Sequence, residues 1–265
     1  GVLLKFFLYS SGFWAGYKGA LKEGVFKLRK KPSANLTERE QFWGSVFFIL
    51  YLLVLPWAAG PLFKLLGEKL GRSIHGDMQS AIYYYSLFAV TIVIFGGFLV
   101  RTTQRLGENV PEALKSIAVG LVGMYGLNEI LDRLLGAVLS GRVNLNDSAI
   151  STRIGSTPHM TVLTVLFFAP FVEEVLFRGL LFDSLRGRGR GTAYLISCLV
   201  FALPHVWQFA LENRDAAYLL LGLRYIAPGL ALAWAFEHSG TLWASIGLHA
   251  LANGLSLLSL LNRNI

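Results

Sequence analysis

Cysteine is almost absent: Cys198 is the one thiol in 265 residues, which excludes an intrachain disulfide framework and leaves the redox compartment unread. Charge is scarce too. Asp, Glu, Lys and Arg make up 15% of the chain, against roughly 25% in soluble domains, so an ordinary water-soluble globule is excluded. No HExxH, no GxSxG elbow and no Gly-rich phosphate loop occurs, which sets aside zincins, serine hydrolases of the elbow type and nucleotide-binding enzymes. An aspartate pair suited to intramembrane acid–base work is missing as well. Internal repeats are lacking, and with them the signature of an inverted-repeat transporter.

What fills the chain is apolar. Hydrophobic residues reach 54% and the mean hydropathy is +0.53. Apolar runs at about 43–62, 80–100, 114–139, 158–182, 191–211, 216–236 and 241–262 are each long enough to cross a bilayer as a helix. The expected fold is an all-α, polytopic transmembrane bundle of seven to eight membrane helices. Residues 1–21 are interrupted by Lys5 and Lys18 and read as an interfacial or weak transmembrane helix. Three regions follow: 1–42, that helix plus a basic loop; 43–150, N-terminal membrane helices; and 151–265, the helices that carry the chemistry. The net charge of +8 matches anionic lipid headgroups better than nucleic acid, because the basic residues flank apolar spans. The run from Lys22 to Lys31 and the group Arg186, Arg188 and Arg190 fall on one side, which the positive-inside rule makes cytoplasmic.

Against this background three patterns stand out: Glu173-Glu174-x-x-x-Arg178, Phe201-x-x-x-His205 and His249-x-x-x-Asn253. Carboxylates, imidazoles, an amide and a guanidinium are costly in lipid and mark functional sites by default. Counting at about 1.5 Å per residue places Glu173, His205 and His249 at overlapping depths near mid-membrane, as one shared site requires. Residues four apart share a helix face, so Glu174 and Arg178 should pair while Glu173 points about 100° away and stays available. His249 and Asn253 share a face and aim two polar groups at one point. They could stabilise a tetrahedral oxyanion or bridge helices as packing glue. Near the other end of the third span, Glu129 and Arg133 should pair at i, i+4.

The set EExxxR, FxxxH and HxxxN on successive apolar helices resembles the CPBP family of intramembrane proteases, which includes the CAAX prenyl endopeptidases and bacterial relatives tied to bacteriocin self-immunity. The resemblance covers about residues 155–260 and matches the motifs without substitution. It implies an integral membrane endopeptidase whose catalytic chamber faces the cytosol and whose substrate is a membrane-associated protein or peptide, lipidated or not. Carried over, Glu173 and His205 activate water, His249 and Asn253 hold the oxyanion, and Glu174 with Arg178 supports Glu173. Glu173, His205 and His249 could instead hold Zn²⁺ with an open position for water. A metal-free mechanism is preferred, because an imidazole spent on zinc cannot also donate to an oxyanion. The rival reading is a non-catalytic immunity or scaffold protein that retains the fold.

Overall fold

The computed structural model describes residues 36–139 and 145–263. The helix expected over 1–21 and the basic loop after it lie outside the described residues. Every described element is helical: α1 (Glu38–Leu70), α2 (Gly76–Glu108), α3 (Val110–Leu139), α4 (Leu145–Ser156), α5 (Pro158–Arg186), α6 (Arg190–Ala202), α7 (Trp207–Glu212), α8 (Ala216–Ser239) and α9 (Leu242–Arg263). Six of these are long and apolar enough to span a membrane, namely α1, α2, α3, α5, α8 and α9. The outward faces agree: Val93, Val122 and Leu134 are more than 70% exposed, which an apolar solvent tolerates and water does not.

The apolar run 191–211 is not one continuous helix. α6 stops at Ala202, a 3₁₀ turn covers Leu203–His205, and α7 begins only at Trp207. Pro204 supplies the reason, since it has no N–H to donate and its ring crowds the carbonyl four residues back. Two other prolines are absorbed differently. Leu50–Val54 and Thr164–Phe168 are π turns, placed just ahead of Pro56 and Pro170. The carbonyls that those rings would strike, on Leu52 and Leu166, lie inside the widened turns. A third π segment, Val175–Phe182, carries Arg178. Such bulges concentrate at functional sites because they re-aim side chains within a helix.

α8 occupies the centre of the bundle. Its second half packs on α3, α6 and α9, and α5 packs on α6, α9, α2 and the start of α1. Gly229 lets α8 approach α6 closely, for a Cβ there would lie 3.2 Å from Cys198 Sγ. Small residues of this kind set helix spacing where no hydrophobic effect drives association. Phe95, Phe98, Phe177, Phe182 and Phe201 fill the interior. α1 is tied to α2 by Glu40, whose carboxylate accepts from Thr37 N at 2.8 Å, Phe98 N at 2.5 Å and Arg101 Nη2 at 2.5 Å.

Candidate active site

The two π turns of α5 bracket Glu173 and Glu174, and the two carboxylates face different surroundings. Glu174 is fully buried, whereas the Glu173 side chain retains 14% exposure. Glu174 Oε1 accepts from Arg178 Nη1 at 2.9 Å and from His249 Nδ1 at 2.7 Å. Its Oε2 accepts a close hydrogen bond from Ser245 Oγ. Arg178 also donates from Nη2 to the Gly229 carbonyl at 3.3 Å and lies 4.1 Å above the Phe201 ring. A carboxylate so surrounded is committed to holding its neighbours.

Glu173 lines a cavity of about 530 Å³ together with His205, His249 and Asn253. A second cavity of about 390 Å³, between α1 and α2, has Glu173 and His205 in its wall as well. Glu173 Oε2 stands 3.9 Å from His249 Nε2, and Tyr51 donates its hydroxyl to Glu173 Oε1 at 3.5 Å. His205, on the 3₁₀ turn after α6, directs Nδ1 at the Phe201 carbonyl at 2.9 Å and stacks on Tyr225 with centroids 4.1 Å apart. That stack and that bond hold its ring at the cavity wall, and among the described residues no hydrogen bond engages Nε2.

Asn253 donates from Nδ2 to the Val165 carbonyl at 2.9 Å. The sequence dictates that bond. In the π turn the Ala169 N–H goes to Thr164 O, and the next residue is Pro170, which has no N–H to give Val165 O. The orphaned carbonyl takes one amide proton of Asn253, and the other remains for the cavity.

Thus the structure brings Glu173, His205, His249 and Asn253 to one cavity and places Glu174 and Arg178 behind it. It also adds residues that the motifs did not disclose. Tyr51 lies in an unbroken apolar run without any local signal. Ser245 stands one turn before His249 and could have been found by extending that helical face backward. Among the described residues, no group of three His, Cys, Asp or Glu side chains is arranged to hold a metal ion. Both histidines engage Nδ1, with the Phe201 carbonyl and with Glu174, which leaves Nε2 as the ring nitrogen for a substrate, a water or a metal.

The chamber has a definite end. Its walls come from the start of α2, the far half of α3, α4, the start of α5, α7, the start of α8 and the far half of α9. The loop bearing Arg186, Arg188 and Arg190 lies at the opposite end of the bundle. A cytosolic chamber and a cytosolic Arg186–Arg190 loop are therefore mutually exclusive. Among the described residues basic positions do not decide between them: Lys64, Lys69, Arg72, Arg133, Arg153, Arg214, Arg224 and Arg263 at the chamber end stand against Arg39, Arg101, Arg105, Lys115, Arg186, Arg188 and Arg190 at the other. Glu129 and Arg133 do pair, at 2.7 Å, on the exposed surface of α3.

Residues 155–255 match the family model described as type II CAAX prenyl endopeptidase Rce1-like. The match spans α5, α6, α7, α8 and most of α9, and so contains every motif residue. No curated protein and no solved structure matches the chain. The match points to CAAX-type intramembrane protease activity and, with it, to a membrane-associated protein as substrate. Over residues 155–255, then, this integral, multi-pass membrane chain is similar to the Rce1-like type II CAAX prenyl endopeptidases.

Proposed function

We propose that the protein is a metal-independent intramembrane endopeptidase that cuts a peptide bond in a membrane-associated protein or peptide delivered to the chamber. One observation carries the reading: a partly exposed carboxylate, two imidazoles and an amide line one cavity inside the bundle, while a fully buried ion pair sits directly behind them. Glu173 takes a proton from water, and the hydroxide oxygen attacks the carbonyl carbon of the peptide. His205 orients that water through its free Nε2. The oxyanion is held by the remaining Asn253 amide proton and by His249. Glu174 engages His249 Nδ1, so the ring meets the oxyanion through Nε2, from which it donates when it carries a second proton. Collapse of the intermediate breaks the C–N bond, and the proton on Glu173 passes to the departing amine nitrogen. General acid–base work of this kind contributes about 10²–10⁴-fold, and an oxyanion donor roughly 10²–10³-fold.

The chamber opens toward the cytosol in this reading, where lipidated protein tails are presented, and the Arg186–Arg190 loop then faces the other side. Glu173→Gln in protein reconstituted in lipid tests the assignment against a library of membrane-anchored peptides. Loss of all cleavage in a variant that melts like wild type is the expected result. A wild type that cuts nothing, yet binds a partner as tightly as the variant does, would replace the protease with the immunity or scaffold reading.

A further inference from the structure

The motif residues leave one strongly held group unexplained. Ser245 is fully buried on α9, one turn ahead of His249. Its hydroxyl reaches Glu174 Oε2 and lies 3.1 Å from the Leu232 carbonyl of α8. A serine has one proton to give, and a carboxylate is the stronger acceptor. Ser245 thereby occupies the one Glu174 oxygen that neither Arg178 nor His249 touches. We infer that Ser245 is a positioning residue of this site: by holding Glu174 Oε2 it keeps Oε1 on the Nδ1 proton of His249, so that His249 Nε2 faces Glu173.

The inference rests on the endopeptidase reading for its effect on rate, but not for its geometry. Glu174 is held from three directions, by Arg178 on its own helix and by Ser245 and His249 on α9. Removing the Ser245 hydroxyl frees Oε2 in an environment without water to replace the donor. Arg178 retains unused donor capacity, for its Nε is buried and makes no hydrogen bond among the described residues. The released carboxylate turns toward the guanidinium, and His249 loses the acceptor that fixes its tautomer. A ring free to carry its proton on either nitrogen presents Nε2 to Glu173 in the wrong state for part of the time.

The test compares Ser245→Ala and Ser245→Thr in full-length protein labelled with ¹⁵N-histidine, in lipid nanodiscs. Thr keeps the hydroxyl and Ala removes it. Wild type should show one His249 tautomer with the proton on Nδ1. Ala should show a mixture, and Thr should restore the single state. Turnover should fall roughly 10- to 100-fold in Ala, part of the 10²–10⁴ that a correctly protonated acid–base group supplies, with KM within about twofold and with recovery in Thr. An Ala variant that keeps the single Nδ1–H tautomer overturns the inference whatever its activity. So does a Thr variant that folds but loses that tautomer, which keeps the test decisive where Ala fails to fold. Failure of wild type to cleave any peptide refutes the endopeptidase reading and leaves the tautomer result standing.

Discussion

Arg178 is the residue whose replacement should cost most, and the structure allows the cost to be apportioned. Its guanidinium and the Glu174 carboxylate are both at 0% side-chain exposure, 2.9 Å apart. Arg178→Met keeps an unbranched stem of similar volume and removes the charge, the bond to the Gly229 carbonyl and the contact over Phe201. Two magnitudes compete. If the pair acts as an ordinary i, i+4 ion pair along one helix, its worth is about 0.2–0.5 kcal/mol. If it neutralises a buried charge, removing one partner costs about 3–5 kcal/mol, because a lone carboxylate is left without water. The Phe201 contact adds about 2 kcal/mol in a desolvated setting. The second account should prevail, since Glu174 has no exposure through which to recover hydration. Unfolding of the purified protein in lipid nanodiscs should show a loss of at least about 3 kcal/mol. The double variant Glu174→Gln/Arg178→Met should recover a large part of it, because both charges are then gone. A single variant within about 1 kcal/mol of wild type would refute the reasoning, as would a double variant no more stable than the single.

Three further outcomes are expected besides the loss of cleavage in Glu173→Gln. Asn253→Ala removes an oxyanion donor and should lower turnover about 10²–10³-fold, with a melting temperature close to that of wild type because only one carbonyl, Val165 O, is left unpaired. Gly179→Ala puts a Cβ 2.8 Å from the Phe98 ring, which is fully buried and cannot move aside. It should destabilise by about 1–3 kcal/mol through overpacking, read as a lower thermal midpoint. Single cysteines at Asn213 and Arg188 mark the two ends of the bundle against a buried Cys198. In intact cells a membrane-impermeant thiol reagent should label Arg188→Cys and spare Asn213→Cys, and the reverse pattern would place the chamber outside the cytosol.

The helices and the convergence of the motifs were legible because both follow from local rules. Apolar run length sets the spans, and the i, i+4 period puts Arg178 beside Glu174 and turns Glu173 away. The period also explains why Tyr51 escaped notice: it reaches Glu173 across 122 positions of chain, and nothing in an apolar run marks one tyrosine as special. The break after Ala202 was half legible. Pro204 announced a kink, but the full break in the helix depended on the Leu203–His205 turn, which a hydropathy window averages away. The π turns were not legible at all, although their cause is. Leu50–Val54 and Thr164–Phe168 arise where a proline meets a helix that cannot end, and hydropathy does not distinguish a kinked helix from a widened one.

Membrane orientation shows where a rule that works locally loses its hold. Counting basic residues near selected loops favoured the Arg186–Arg190 end, yet the bundle's other end carries a comparable set. Several of those charges have local work: Arg133 pairs with Glu129 at 2.7 Å, Arg224 lies 4.0 Å from Asp132, and Arg153 and Arg224 line the chamber. A charge retained for a cavity or an ion pair still enters the tally of the positive-inside rule, but it carries no topological signal of its own. In a membrane protein whose site opens at one end, polar residues accumulate at that end for chemical reasons. The depth of the motif residues is free of this confusion, because Glu173, His205 and His249 meet inside the bundle whichever way it faces. The site is therefore fixed by the fold alone, and the side from which its substrate arrives is a separate property of the membrane-facing charge.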